Sequence, residues 1–218
     1  MTSQCEIKIY KSDRRKRTVA SGLEVYSTFS SGVTHNSLGA LQIFNQEILA
    51  PSGKIQYSNF KNQKIVLIPL VGAIDVDFEG SRQFAHIGQV FAFLAQEEFE
   101  IKNPYKSESV SYLLIGFDSS RSSGDVFSEF ELKPQNTLRN IVETENFTLW
   151  MASFEGRKEG VYLLRNQRRK LFVFVIQGAF EFENRLIETG DGLSFDAIDK
   201  CEFEALSRDA LLLLIECE

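Results

Sequence analysis

The chain has 218 residues, 43% of them hydrophobic and 25% charged, with a formal net charge of -6. That length holds two small domains of about 100 residues, each able to bury a core, and the acidic balance argues against a nucleic-acid partner, which needs a basic face to release counterions. Nineteen Phe against one Trp and four Pro favour apolar β interiors.

In chain order, Met1 to Lys11 mixes polar and charged residues without an apolar centre, unlike a signal peptide. Within it Cys5 to Tyr10 alternates as a half-buried strand does. Arg14-Arg15-Lys16-Arg17 is the one basic cluster and reads as a solvated stretch beside that first strand rather than a nuclear-localisation patch. Lys64 to Val71 is apolar on both faces, as in a strand sandwiched in a core, with Pro69 marking a bulge or an edge. Gly72 breaks the run, and Ile74 to Glu79 then alternates apolar residues with acids. Ser119-Ser120-Arg121-Ser122-Ser123-Gly124 has the composition of a flexible connector, which divides the chain into domains 1–124 and 125–218 and makes the connector the expected site of limited proteolysis. Pro134 to Asn146 is expected to form a short helix or turn.

After the connector the template repeats. Lys64 to Asp77 returns as Lys170 to Glu183, with lysine, Gly-Ala and alternating acids in register. Gly88 to Phe93 returns as Gly190 to Phe195, Glu98-Phe99-Glu100-Ile101 as Glu202-Phe203-Glu204-Ala205, and Tyr112 to Ile115 as Leu212 to Ile215. A shared order of four elements implies an all-β fold in which one domain is used twice. Leu211 to Ile215 is too short to span a bilayer, which speaks against a membrane partner. The odd count of three cysteines, Cys5, Cys201 and Cys217, without metal-type spacing, fits a reducing compartment, so a cytoplasmic location is expected.

Residues with chemical potential are few. His35 and His86 are the only histidines and read as surface or hydrogen-bonded side chains. Glu97, Glu98 and Glu100 are expected in water, with Phe99 and Ile101 turned inward. Lys64 and Lys170 occupy equivalent positions; each reads as a strand-entry lysine in solvent, while the sharper alternative puts Lys64 beside an anionic ligand. No Gly-x-x-x-x-Gly-Lys loop, Gly-x-Ser-x-Gly elbow or His-Glu-x-x-His helix is present, so phosphate cradling, serine hydrolysis and zinc proteolysis lack support.

Three collinear segments resemble the pirin family. They are Ser12-Asp13-Arg14 followed by Tyr26 to Ser30, then Leu38 to Glu47 with Ala50-Pro51-Ser52-Gly53, and Val71-Gly72-Ala73-Ile74. Val175-Ile176-Gln177-Gly178 and Glu188-Thr189-Gly190-Asp191-Gly192 are similar to turns of the carboxy-terminal cupin in its bacterial quercetinase-like branch. The resemblance implies two tandem cupin barrels of the double-stranded β-helix, or jelly-roll, type. It also implies where a metal would sit: the first ligand pair falls on Ser58 and Phe60, the glutamate on Lys64, and the late histidine on Phe99 or Ile101, with Asn103 beyond. Apart from Asn103, none of these offers a usual ligand, so no metal and no cofactor are expected. Ser58, Phe60, Lys64 and Phe99 become candidates for a pocket that takes a small, flat, weakly anionic ligand. The function this implies is a metal-free pirin-like bicupin that binds a small molecule or acts as an interaction module. The alternatives are a quercetin 2,3-dioxygenase-like enzyme with other ligands and a transcription cofactor of the eukaryotic pirin kind.

Overall fold

Alternating runs and doubly apolar runs both become strands, and the two kinds take different places. The computed structural model describes residues 6–30, 37–118, 124–166, 169–196 and 198–218. Of the residues discussed above, Cys5, His35 and connector residues Ser119 to Ser123 lie outside this set. Among the described residues the only helical element is the 3-10 turn Ser12–Arg14, and no helix is long and apolar enough to cross a membrane.

The strands in chain order are β1 (Glu6–Tyr10), β2 (Lys16–Ala20), β3 (Leu23–Phe29), β4 (Leu41–Leu49), β5 (Lys54–Tyr57), β6 (Gln63–Val71) and β7 (Ala73–Phe78). Next come β8 (Ser81–His86), β9 (Gln89–Ala95), β10 (Phe99–Lys102), β11 (Val110–Asp118), β12 (Val126–Glu129), β13 (Arg139–Glu143) and β14 (Phe147–Phe154). The chain ends with β15 (Glu159–Leu163), β16 (Lys170–Gln177), β17 (Ala179–Phe182), β18 (Arg185–Glu188), β19 (Gly192–Asp196), β20 (Lys200–Ala205) and β21 (Ala210–Cys217). Residues 139–143 are thus a strand, where the sequence suggested a helix or turn; β13 pairs with β14, and cross-strand partners override a weak local preference.

The chain forms two units, each an antiparallel two-sheet barrel, as the repeat implied. In the first, Lys16–Phe130, a seven-stranded sheet ordered β12-β9-β6-β11-β4-β3-β2 faces a four-stranded sheet ordered β5-β10-β7-β8. Between them lies a core that includes Ile65, Leu67, Ile74, Val76, Phe93 and Ile101. In the second unit, Met1–Arg15 with Glu131–Glu218, sheets β1-β19-β16-β21-β14-β13 and β15-β20-β17-β18 enclose Phe154, Val173, Phe180, Phe182, Leu212 and Leu214, among others.

The border differs from the one expected at 124/125. β1 pairs with β19 of the second barrel, Glu6 opposite Asp196 through Tyr10 opposite Gly192. β12, beyond the connector, pairs with β9 of the first, Val126 opposite Ala92. The reason is that an alternating strand reads the same whichever sheet edge accepts it, whereas connector composition marks only where chain is solvated.

The doubly apolar reading of β6 holds, since Ile65, Val66, Leu67 and Ile68 are all fully buried. The bulge suggested by Pro69 also appears: the β6–β11 register shifts between Ser111 and Tyr112, where Tyr112 faces Pro69. Gly72 and Gly178 have φ of 74° and 83°, which lets each chain double back into the next strand.

One internal match moves. Ile101 pairs with Val76, and Phe203 pairs with Phe182, so Ile101 corresponds to Phe203 and Phe99 to Cys201, two residues away from the match read in the sequence. An acid-Phe-acid pattern has period two, and a shift by two leaves it unchanged to the eye. The corrected register has a consequence. Phe99 pairs with Tyr57 and Cys201 with Tyr162, so Tyr57 and Tyr162 are equivalent.

Candidate functional site

In β4, alternation turns Ile43, Asn45, Glu47 and Leu49 to one face, and Ile43 and Leu49 pack into the first barrel's core. Glu47 is therefore carried inside and is 1% exposed. Tyr57, at the end of β5, donates its hydroxyl to Glu47 Oε2 and lies 3.0 Å from Tyr112 Oη. Asn45 Nδ2 donates to Glu47 Oε1 at 3.2 Å. Burial pushes the Glu47 carboxyl above the usual range, and the donors Tyr57, Tyr112 and Asn45 offset this only in part. Burial, joined by the charge of Glu47, holds both phenols well above their ordinary value.

Aromatic rings pack against this polar group. Tyr57 stacks on Phe99 with centroids 4.8 Å apart at 18°. Phe60 lies 5.4 Å from Tyr57 and 5.8 Å from Phe99, and Phe93 meets Phe99 edge-on at 5.1 Å. The structure thus brings together two of the sequence candidates, Phe60 and Phe99. Ser58 is exposed just past β5, so the last inward residue of that strand is Tyr57.

Lys64 goes elsewhere. It shares the β6 face of Val66 and Ile68, opposite the face that Ile65 and Leu67 turn to the core. There it is 1% exposed and donates to the Gly124 carbonyl at 2.8 Å. The solvent reading of Lys64 is therefore corrected: burial lowers its pKa, opposed by Asp125, and strand alternation decides the side. Its counterpart Lys170 is half-buried and bridges to Asp196 at 3.1 Å.

Asn103 Nδ2 is bound to the carbonyls of Leu49, Ala50 and Glu108 at 3.1, 2.9 and 2.7 Å. Glu97 and Glu98 are exposed, and Glu100 bridges Lys102 at 2.9 Å. These acids and Phe99 border a surface cleft of about 460 Å³. The His86 ring is exposed, with Nδ1 2.7 Å from the Ile87 carbonyl oxygen. Among the described residues no three His, Cys, Asp or Glu side chains come together as a group able to hold a metal.

The second barrel carries a related pair. Tyr162 donates to Glu216 Oε2 at 2.6 Å, and Glu216 is fully buried. Here, however, the carboxylate has cationic company: Arg169 lies 3.6 Å away, and the Arg165 backbone N–H donates at 3.2 Å. The Arg165 guanidinium covers the Trp150 ring at 5.2 Å and pairs with Glu143 at 2.5 Å. Burial, then the bond to Glu216, raises the Tyr162 phenol far above its ordinary value. Equivalent tyrosines thus serve carboxyl groups from neighbouring strands, β4 in one barrel and β21 in the other.

Sequence reasoning missed Glu47, Tyr57, Tyr162 and Glu216. The signal was an acid in phase with apolar neighbours: Glu47 with Ile43 and Leu49, and Glu216 with Leu212 and Leu214.

Residues 144–217 match the family described as the quercetinase C-terminal cupin domain. Comparison with curated proteins gives no match. Among solved structures, the bacterial pirin YhhW from Escherichia coli, determined in complex with nickel(II), is 15% identical and covers 97% of this chain and 99% of its own, with a TM-score of 0.84. A quercetin 2,3-dioxygenase from Acinetobacter baumannii is 14% identical over 97% of this chain and 85% of its own, with a TM-score of 0.77. YhaK from Escherichia coli is 17% identical over 88% and 93%, with a TM-score of 0.76. At these identities the likeness is one of fold: the chain has the tandem cupin architecture of the bacterial pirins, with a second half that matches the quercetinase cupin.

Proposed function

We propose that this chain is a metal-independent pirin-like bicupin that binds a small molecule at the Tyr57 end of its first barrel. The observation that carries the reading is the commitment of Glu47. Among the described residues, the polar groups gathered around Glu47 are the Asn45 carboxamide and the Tyr57 and Tyr112 phenols, and both Glu47 oxygens already accept hydrogen bonds. Iron- or nickel-type ions favour imidazole with carboxylate, so this set does not fit such an ion. The packed rings of Tyr57, Phe60 and Phe99 suit a flat apolar body, with the exposed Ser58 at the rim.

The second reading is a quercetin 2,3-dioxygenase-like enzyme, supported by the family match over residues 144–217. Elemental analysis of purified protein beside oxygen uptake with quercetin separates the two. The binder is expected to hold only substoichiometric iron, nickel, copper or zinc and to consume no oxygen. Near one equivalent of metal with metal-dependent flavonol turnover sinks the binder and promotes the dioxygenase.

A further inference from the structure

The second barrel carries a cleft of about 620 Å³ between the turn that leads into β15 and the turn that leads into β21. Tyr162 and Glu216 stand near the far ends of those two strands. The turn into β15 repeats the turn into β5. The Gly53 N–H donates to the Ala50 carbonyl at 2.9 Å and the Lys158 N–H to that of Glu155 at 3.3 Å, while Ser52 and Arg157 have φ of 55° and 65°. The next strand then meets each turn in the same way: the Asn103 N–H donates to the Gly53 carbonyl and the Ala205 N–H to that of Lys158, both at 2.9 Å. Asn103 and Ala205 are therefore equivalent.

Their side chains are not. Asn103 ties its turn to the chain that follows, through the carbonyls of Leu49, Ala50 and Glu108 and through Oδ1, which accepts from the Tyr105 N–H at 2.9 Å. Ala205 has only a methyl group in that place, and the residues from there to the next strand, 206–209, are two fewer than 104–109. Two turns that the first barrel binds together thus leave a cleft between them in the second.

Both signs of charge line this cleft. Glu155 and Asp209 face it with Arg157 and Arg208, and Leu206 adds an apolar side. Each acid is held by a neutral donor: Asn136 Nδ2 donates to Glu155 Oε2 at 3.1 Å and Gln135 Nε2 to Asp209 Oδ1 at 3.0 Å. Arg157 has Glu204 at 3.4 Å, and Arg208, which is exposed, forms no ion pair among the described residues. The lining charges are therefore not paired with one another. Arg157 also holds a left-handed backbone conformation that costs a residue with a side chain, a kind of strain that gathers at ligand sites. A purely anionic ligand would be repelled by the two acids and a purely cationic one by the two arginines, whereas a molecule with both charges suits each pair.

We infer that this cleft binds a small zwitterion of the amino-acid type, with its carboxylate on Arg157 and Arg208, its ammonium on Glu155 and Asp209, and an aliphatic side chain against Leu206. The site belongs to the second barrel and goes beyond the binding function proposed for the first, so either can fail without the other.

The test uses leucine and two molecules that each lack one of its charges, 4-methylpentanoate and 3-methylbutylamine. Binding to the full chain is measured by calorimetry near neutral pH. Leucine is expected to bind at least about tenfold more tightly than either, the range of one hydrogen bond that involves a charged group. Arg208→Gln and Asp209→Asn should each weaken leucine by about tenfold. Both positions are exposed, so the melting temperature should stay nearly unchanged. Arg14→Gln, which removes an exposed arginine outside the cleft lining, should leave leucine binding as it is. Equal or tighter binding of either singly charged molecule overturns the inference. So does leucine binding that survives Arg208→Gln, or that Arg14→Gln weakens as much, since net charge rather than the cleft would then be responsible. Binding of none of the three at concentrations up to about 10 mM, where even a weak site would register, overturns it as well.

Discussion

Arg169→Met is expected to destabilise the second barrel by about 3 to 5 kcal/mol, the usual cost of stripping one partner from a buried ion pair. Glu216 is fully buried and cannot recover water, while Arg169, itself nearly buried, is the guanidinium 3.6 Å from it. Exposed pairs of the same kind, such as Arg157 with Glu204 at 3.4 Å, should change stability by less than about 1 kcal/mol. Trp150, the chain's single tryptophan, lies beside Tyr162 with ring centroids 6.0 Å apart, so denaturant unfolding followed by its fluorescence reports on this barrel. Glu216→Gln placed on top of Arg169→Met should restore part of the loss, because a neutral amide oxygen still accepts from Tyr162 and the Arg165 N–H. A single-variant loss below about 1 kcal/mol would show that the buried pair behaves like a surface one.

Glu47 is expected to behave in the opposite sense, because the groups acting on it are neutral donors. Its pKa in the fold is raised, so the fold favours the protonated form. That contribution is complete below the unfolded value of about 4.3 and is lost as pH rises through the raised folded value. Glu47→Gln, neutral at every pH, should therefore gain stability relative to the native chain across that window. Glu47→Leu removes the acceptor altogether and leaves Tyr57 and Tyr112 with only each other, which should cost about 2 to 3 kcal/mol at acidic pH. Calorimetric melting of both variants from acidic to neutral pH checks the sign. A Glu47→Gln difference that stays flat, or that shrinks as pH rises, would refute the assignment of burial as the dominant influence.

Repetition made the architecture legible early. The template shared by Lys64 to Asp77 and Lys170 to Glu183 returns as β6–β7 and β16–β17, each pair turning through a glycine with positive φ. The segment Ile65 to Ile68 of β6 could be recognised as buried on both faces because none of its side chains carries a polar group. The metal-site reading was less direct. Counting from Gly72 placed the first ligand position on Ser58, whereas the structure turns Tyr57 inward, and an error of one residue exchanges a buried side chain for an exposed one.

Local pattern by itself determined that the chain is all-β, that one domain occurs twice, and which faces of the long strands are apolar. These follow from period-two alternation and glycine placement, which depend only on neighbours in the chain. Which sheet receives β1 and β12, which side Lys64 takes, and that Tyr57 meets Glu47 while Tyr162 meets Glu216 were decided only by the tertiary structure. Tyr162 and Glu216 stand 54 positions apart, and their meeting depends on β14, β15, β20 and β21 being brought together in one barrel. Pairing register carries that information, and a pattern of period two cannot distinguish a register from the same register shifted by two.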